Sequence, residues 1–110
     1  STGTSTTPSD SLTTLVANDL LLGVVSHSDI STVEITPGGA YTQIGEFEDS
    51  VVTVAYNFEY RLVTAAQAYA VDWTFASSQT WAAYTAAFQP AAAAAVAPIP
   101  ATPLVGNLRW

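Results

Sequence analysis

The stretch VVTVAYNFEYRLV, residues 51–63, decides the fold. Val52, Val54, Tyr56, Phe58, Tyr60 and Leu62 alternate with Thr53, Ala55, Asn57, Glu59 and Arg61, a period of two that belongs to a half-buried β-strand. Shortly downstream, residues 69–76 repeat the pattern, with Tyr69, Val71, Trp73 and Phe75 on one side and Ala70, Asp72 and Thr74 on the other. With 64–67 as the loop, the two segments read as a hairpin that buries both aromatic faces. Directly opposed residues of a hairpin share a face, so Leu62 is expected opposite Tyr69, Tyr60 opposite Val71, Phe58 opposite Trp73 and Tyr56 opposite Phe75. The same register sets Glu59 against Asp72, with Arg61 diagonal to Asp72 and placed to neutralise the pair. Across an exposed face such a contact contributes only about 0.2 to 1 kcal/mol, so it fixes register more than stability.

Working outward, shorter strands are predicted over 12–16, 19–26, 32–36, 41–47 and 80–88. They are separated by turn-forming clusters: Ala17-Asn18-Asp19, residues 27–31, Pro37-Gly38-Gly39, Glu48-Asp49 and Ser77-Ser78. In 80–88, Trp81 lies on one side and Tyr84 and Phe88 on the other, so a central strand covered on both faces is expected. Many short strands joined by turns make the chain an all-β protein, an antiparallel β-sandwich of jelly-roll or Ig-like type, with extended N- and C-terminal arms. Residues 1–11 are rich in Ser and Thr and read as a polar arm; 12–89 form the sandwich. Residues 90–110 read as a Pro/Ala-rich spacer, PAAAAAVAPIPATP, followed by LVGNLRW, a docking tail.

Composition bounds the function. The chain has 110 residues, 49% of them hydrophobic and only 10% charged, which suits one domain with a substantial core and a surface of hydroxyls and amides. Nine acidic residues against Arg61 and Arg109 give a net charge of −7 with no lysine, which argues against nucleic acid and anionic membrane as partners. With no cysteine there is no disulfide framework, thiolate metal site or Cys nucleophile. The longest run rich in large apolar side chains, residues 20–25, falls far short of the roughly 20 residues of a membrane-spanning helix.

Chemical constellations are sparse. His27 is the only histidine and no G-x-S-x-G is present, so His27 reads as a turn residue and not as a triad base. Glu46, Glu48 and Asp49, with Asp29 or Glu34, offer oxygen ligands for Ca²⁺, but the spacing matches no loop signature and solvated charge is the preferred reading. Glu34, Glu46, Glu59 and Asp72 are the carboxylates from which a glycosidase pair would have to come. Tyr41, Trp81 and Tyr84 are the candidates for a sugar-stacking face, with core packing preferred because each belongs to an apolar stripe. No catalytic residue, cofactor or metal ligand is therefore assigned.

The succession NDLLLGVVS (18–26), ITPGGAYTQIGEF (35–47), VTVAYNFEYRLV (52–63) and YAVDWTFASSQTWAAYTAAFQP (69–90) resembles a jelly-roll-like β-sandwich module that recurs in phage structural proteins and secreted bacterial proteins. The resemblance implies a structural or adhesive module without a common catalytic site. In that family further strands precede the Ser/Thr-rich stretch, so this sandwich is expected to lack a strand and to borrow one from a neighbour. The expected docking residues are Leu104, Val105, Leu108, Arg109 and Trp110, on copies of the same chain or on another protein of the same particle. The functional expectation is a self-assembling, non-enzymatic virion accessory or decoration protein. A secreted pilus-like or matrix filament is the first alternative, and an extracellular carbohydrate-binding or adhesion module the second.

Overall fold

The computed structural model describes residues 1–28 and 34–92. Eight strands carry the chain: β1 (Thr2–Ser5), β2 (Ser9–Thr13), β3 (Leu20–His27), β4 (Ile35–Pro37), β5 (Thr42–Asp49), β6 (Val54–Leu62), β7 (Ala68–Phe75) and β8 (Gln79–Phe88). They form two antiparallel sheets, one of five strands in the order β1-β8-β3-β6-β5 and one of three in the order β2-β7-β4. First pairs with last, second with seventh and third with sixth. That nesting is the connectivity of a jelly roll, except that β5 pairs with β6 and so extends the larger sheet.

Between the layers β7 supplies Tyr69, Val71, Trp73 and Phe75, all buried, joined by Ile35 and the partly buried Leu12. These large side chains meet small ones. Leu21, Gly23 and Val25 of β3, Ala55 and Asn57 of β6, and Ala83 of β8 point inward. Gly23 is required there, since a Cβ at that position would lie 2.5 Å from Val71 Cγ1 and 2.9 Å from Trp73 Cζ2. The sheets are also stitched by polar groups: Asp10 Oδ2 of β2 accepts a hydrogen bond from Thr85 Oγ1 of β8 at 3.0 Å.

Residues 1–11, expected to be an arm, are part of the sandwich. β1 zips onto β8, Pro8 is buried at the crossing between sheets, and β2 lines β7. The backbone carbonyls of Thr6 and Pro8 accept hydrogen bonds from Phe75 and Trp73. Ser and Thr are therefore not a sign of solvation here: their backbone pairs and their hydroxyls bond locally, as Ser5 does to Trp81 Nε1–H at 3.0 Å.

The predicted 51–63 strand begins only at Val54. Asp49 Oδ1 accepts the N–H groups of Val51 and Val52 at 2.9 and 3.3 Å, and Thr53 takes a left-handed φ of 53°, so 50–53 form a turn despite their β-branched side chains. The hairpin of 51–63 with 69–76 is corrected too. β6 lies between β3 and β5, whereas β7 belongs to the opposite sheet, and the connection crosses between layers, tied by Thr14, whose N–H donates to the carbonyl of Gln67 at 3.0 Å. The odd-numbered side chains of β6 face inward and the aromatic, even-numbered ones face out. Volume explains the inversion. The four large residues of β7 already occupy the space between sheets packed about 10 Å apart, so β6 can present only small or slender groups there.

Candidate interaction face

The inward turn of the odd-numbered residues has two consequences, one inside the sandwich and one outside. Inside, Glu59 is wholly buried, level with Gly23 and Gln43 on the neighbouring strands. Its Oε2 accepts the Gly38 N–H at 3.2 Å. Burial pushes its carboxyl up to about 8, the Gly38 hydrogen bond opposing and the Asp72 charge adding to the rise. Glu59 is therefore protonated at neutral pH and sealed from substrate, which removes it from any glycosidase pair. Arg61 makes no ion pair within 4.0 Å with Glu59 or Asp72; its guanidinium lies over the rings of Tyr69 and Tyr41, 5.3 and 5.8 Å from their centroids. The expected Glu59–Asp72–Arg61 register device is not formed, because β6 and β7 are not neighbours.

Outside, the even-numbered residues of β8, β3 and β6 form aligned rows across the five-stranded sheet. Phe88, Leu20 and Leu62 make the first row, Ala86, Leu22, Tyr60 and Thr42 the second, Tyr84, Val24, Phe58 and Gly45 the third, and Ala82, Ser26, Tyr56 and Phe47 the fourth. The Phe47 ring packs edge-on against Phe58, centroids 5.7 Å apart, over the space left by Gly45. No side chain in these rows carries a charge; Asp49, paired with Val54, stands at the margin. Leu62 is 71% exposed, Tyr84 64%, Phe47 58% and Phe88 54%. At standard strand spacing and rise these rows span about 20 Å by 25 Å, or roughly 500 Å². That extent lies within the range of about 300 to 600 Å² for the largest apolar patch of a monomeric domain, a patch that is often functional.

Beside the fourth row the face dips. Thr2, Ser26, His27, Ser28, Val54, Thr80, Trp81 and Ala82 line an open depression of about 330 Å³, formed where the small Ser26 and Ala82 sit side by side.

No protein-family model, curated protein or solved structure matches this chain. The face is therefore read from its own geometry.

Of the candidate residues, Tyr41 and Trp81 are core, as preferred over sugar stacking, and Tyr41 donates its hydroxyl to the Ala70 carbonyl at 2.7 Å. Tyr84 points outward. His27, expected in a turn, ends β3 with its ring buried edge-on against Phe75 at 5.0 Å. Glu46 and Glu48 lie exposed on the edge strand β5. Burial and then the charges of Glu48 and Glu34 push the Glu46 carboxyl up. Among the described residues no group of three or more His, Asp or Glu is placed to hold a metal ion. Asp29, Leu104, Val105, Leu108, Arg109 and Trp110 lie outside the described residues.

The outer face escaped the reading of 51–63 because alternation tells which residues share a side, not which side is inside. A signal was present in LLLGVV, residues 20–25, which is apolar at every position but one. A continuous apolar run belongs to a strand covered on both faces.

Proposed function

We propose that this chain is a non-catalytic structural subunit whose outer sheet face is covered when copies assemble. The supporting observation is the pair of rows that hold Tyr84, Val24 and Phe58 and, beside them, Tyr56 and Phe47, with their neighbours: an uncharged aromatic and aliphatic surface on a chain of net charge −7. Among the described residues the carboxylates lie off these rows, Asp49 standing at their margin, so copies can approach through this one face while the carboxylate-bearing surfaces repel. A rigid jelly-roll brick with one sticky face suits a virion accessory or decoration protein, and a secreted pilus-like or matrix filament has the same requirements. Its place is on a virion or outside the cell.

A second reading, sugar binding on an extracellular adhesion module, draws on the exposed rings of Tyr84, Tyr56 and Tyr60. It is weaker because the rings are separated by Leu22 and Val24 and lack the carboxylates and amides that hold sugar hydroxyls. Sedimentation velocity of the native chain over a hundredfold range of concentration tests the proposal, with electron microscopy of the associated material. Growth into particles or fibres abolished by Val24→Lys is expected. A monomer at every concentration, or a monomer that binds glycans, overturns it.

A further inference from the structure

We propose that residues 38–41 form a strap at the side of the sandwich, and that its opening to water is governed by the proton on the buried Glu59 carboxyl. The strap carries the chain from β4 in the smaller sheet to β5 in the larger. Its behaviour does not depend on the self-association reading.

Two hydrogen bonds fasten the strap to the body. Gly38 N–H donates to Glu59 Oε2 at 3.2 Å, and the Tyr41 hydroxyl donates to the Ala70 carbonyl of β7 at 2.7 Å. Between them Tyr41 N–H closes a turn on the Gly38 carbonyl at 2.8 Å. Gly38 is pressed onto β7, where a Cβ would lie 2.7 Å from the Asp72 backbone oxygen and 2.8 Å from its Oδ1. On the outer side the strap has room to move, since a Cβ on Gly39 would meet nothing within 4 Å.

Glu59 makes the first fastening conditional. Its Oε1 is buried without a hydrogen-bond partner, and among the described residues no cation stands within 4.0 Å of the carboxyl. The elements around it supply no counter-charge. β3 and β5 set neutral Gly23 and Gln43 beside it, the strap brings the Tyr41 phenol, and β7 brings the Asp72 carboxylate. Arg61 of β6 keeps its guanidinium over the rings of Tyr41 and Tyr69. A neutral carboxyl is tolerated in that setting; an anion would face the Asp72 charge with one N–H to hold it and needs water. Most of its walls are paired strands, whereas the strap at Gly38, Gly39 and Ala40 carries nothing larger than a methyl group. The strap is the wall that yields. Shut, it leaves the carboxyl titrating near 8; open, it returns the group to its ordinary 4.5. Opening should therefore grow as pH rises above about 4.5 and level off above about 8. Because Tyr41 leads directly into β5, release also frees the start of the strand that brings Phe47 to the outer face.

The test is hydrogen exchange of the full native chain, read amide by amide in low urea. Gly38 N–H is expected to exchange at least tenfold faster than Trp73 N–H, which donates to the Pro8 carbonyl in the core, and at a rate that urea does not change, the mark of local opening. Corrected for base catalysis of exchange itself, its protection should fall at least tenfold from pH 6 to pH 8 and little further by pH 9. Glu59→Gln should abolish that fall. Asp72→Asn, a change on the exposed side of β7, should bring the levelling-off to lower pH, because the Asp72 charge helps to hold the proton on Glu59. A Gly38 N–H that exchanges only in step with Trp73, with the same urea dependence, overturns the proposal, since Glu59 would then meet water only on unfolding of the whole sandwich. An equal fall in Glu59→Gln also overturns it. Should that variant fail to fold by circular dichroism, an Asp72→Asn profile identical to the native one does the same.

Discussion

Glu59→Gln should make the protein indifferent to alkaline pH. The native carboxyl is fully buried, accepts a hydrogen bond from the Gly38 N–H, and holds its proton up to about pH 8 against 4.5 in the unfolded chain. Below pH 4.5 the group is protonated folded or unfolded and contributes nothing to the pH dependence. Between 4.5 and 8 the unfolded chain releases the proton while the folded chain keeps it, so stability falls by as much as about 1.4 kcal/mol per pH unit. Above 8 the loss is complete at about 5 kcal/mol, a large part of the 5 to 15 kcal/mol by which domains are stable. Glutamine keeps the shape and the acceptor for Gly38 but does not titrate. Urea midpoints of native and variant chains at pH 4.5, 6, 7.5 and 9 should coincide within about 1 kcal/mol at the acidic end and diverge by several kcal/mol at pH 9, the variant being the more stable. Repulsion among the other carboxylates is shared by both chains and cancels in the difference, whereas the charge of Asp72 is part of what raises the Glu59 carboxyl and so belongs to the difference. Parallel curves at every pH would refute a buried, protonated Glu59.

Gly23→Ala should cost about 1 to 3 kcal/mol in the urea midpoint, because the new methyl drives into Val71 and Trp73; an unchanged midpoint would mean that the sheets do not approach so closely. Thr53→Gly should raise stability by about 0.5 to 1 kcal/mol by relieving a β-branched residue at φ 53°, and a loss would place Thr53 in another conformation. Thermal unfolding should separate two aromatic residues of the same strand. Trp81→Ala is expected to lose about 3 to 5 kcal/mol, whereas Tyr84→Lys should stay within about 0.5 kcal/mol and lose association instead.

Much of the architecture was legible in alternation. Residues 69–76 and 80–88 fall almost where β7 and β8 lie, and β8 has a strand on each edge, but it is not covered on both faces as expected, since Tyr84 and Phe88 are exposed. What alternation cannot carry is the identity of the inner side. In 51–63 one set of positions is aromatic and the other holds Asn57, Glu59 and Arg61, and a local rule sends the aromatics inward. The choice was made by β7, whose Trp73 and Tyr69 fill the interlayer space and leave room only for slender partners. Glu59 can follow them inside because it remains protonated. The N-terminal strands were hidden for a different reason. TGTS and SDSLT contain one large apolar side chain between them, and their pairing with β8 and β7 rests on backbone hydrogen bonds that leave no trace in composition. The interaction face was not legible: core packing is the preferred reading of Tyr84, as it is of its companions Tyr56, Phe58 and Tyr60, and all four lie on the outer face.

Burial of the outer face in the assembled state is most directly measured by covalent labelling of tyrosines in dilute and concentrated protein, read peptide by peptide. Tyr41 and Tyr69, enclosed within the sandwich, serve as unreactive references at both concentrations. Tyr56, Tyr60 and Tyr84 should label readily when dilute and become protected together as copies associate. Association that leaves all three as reactive as in the dilute chain would contradict the account.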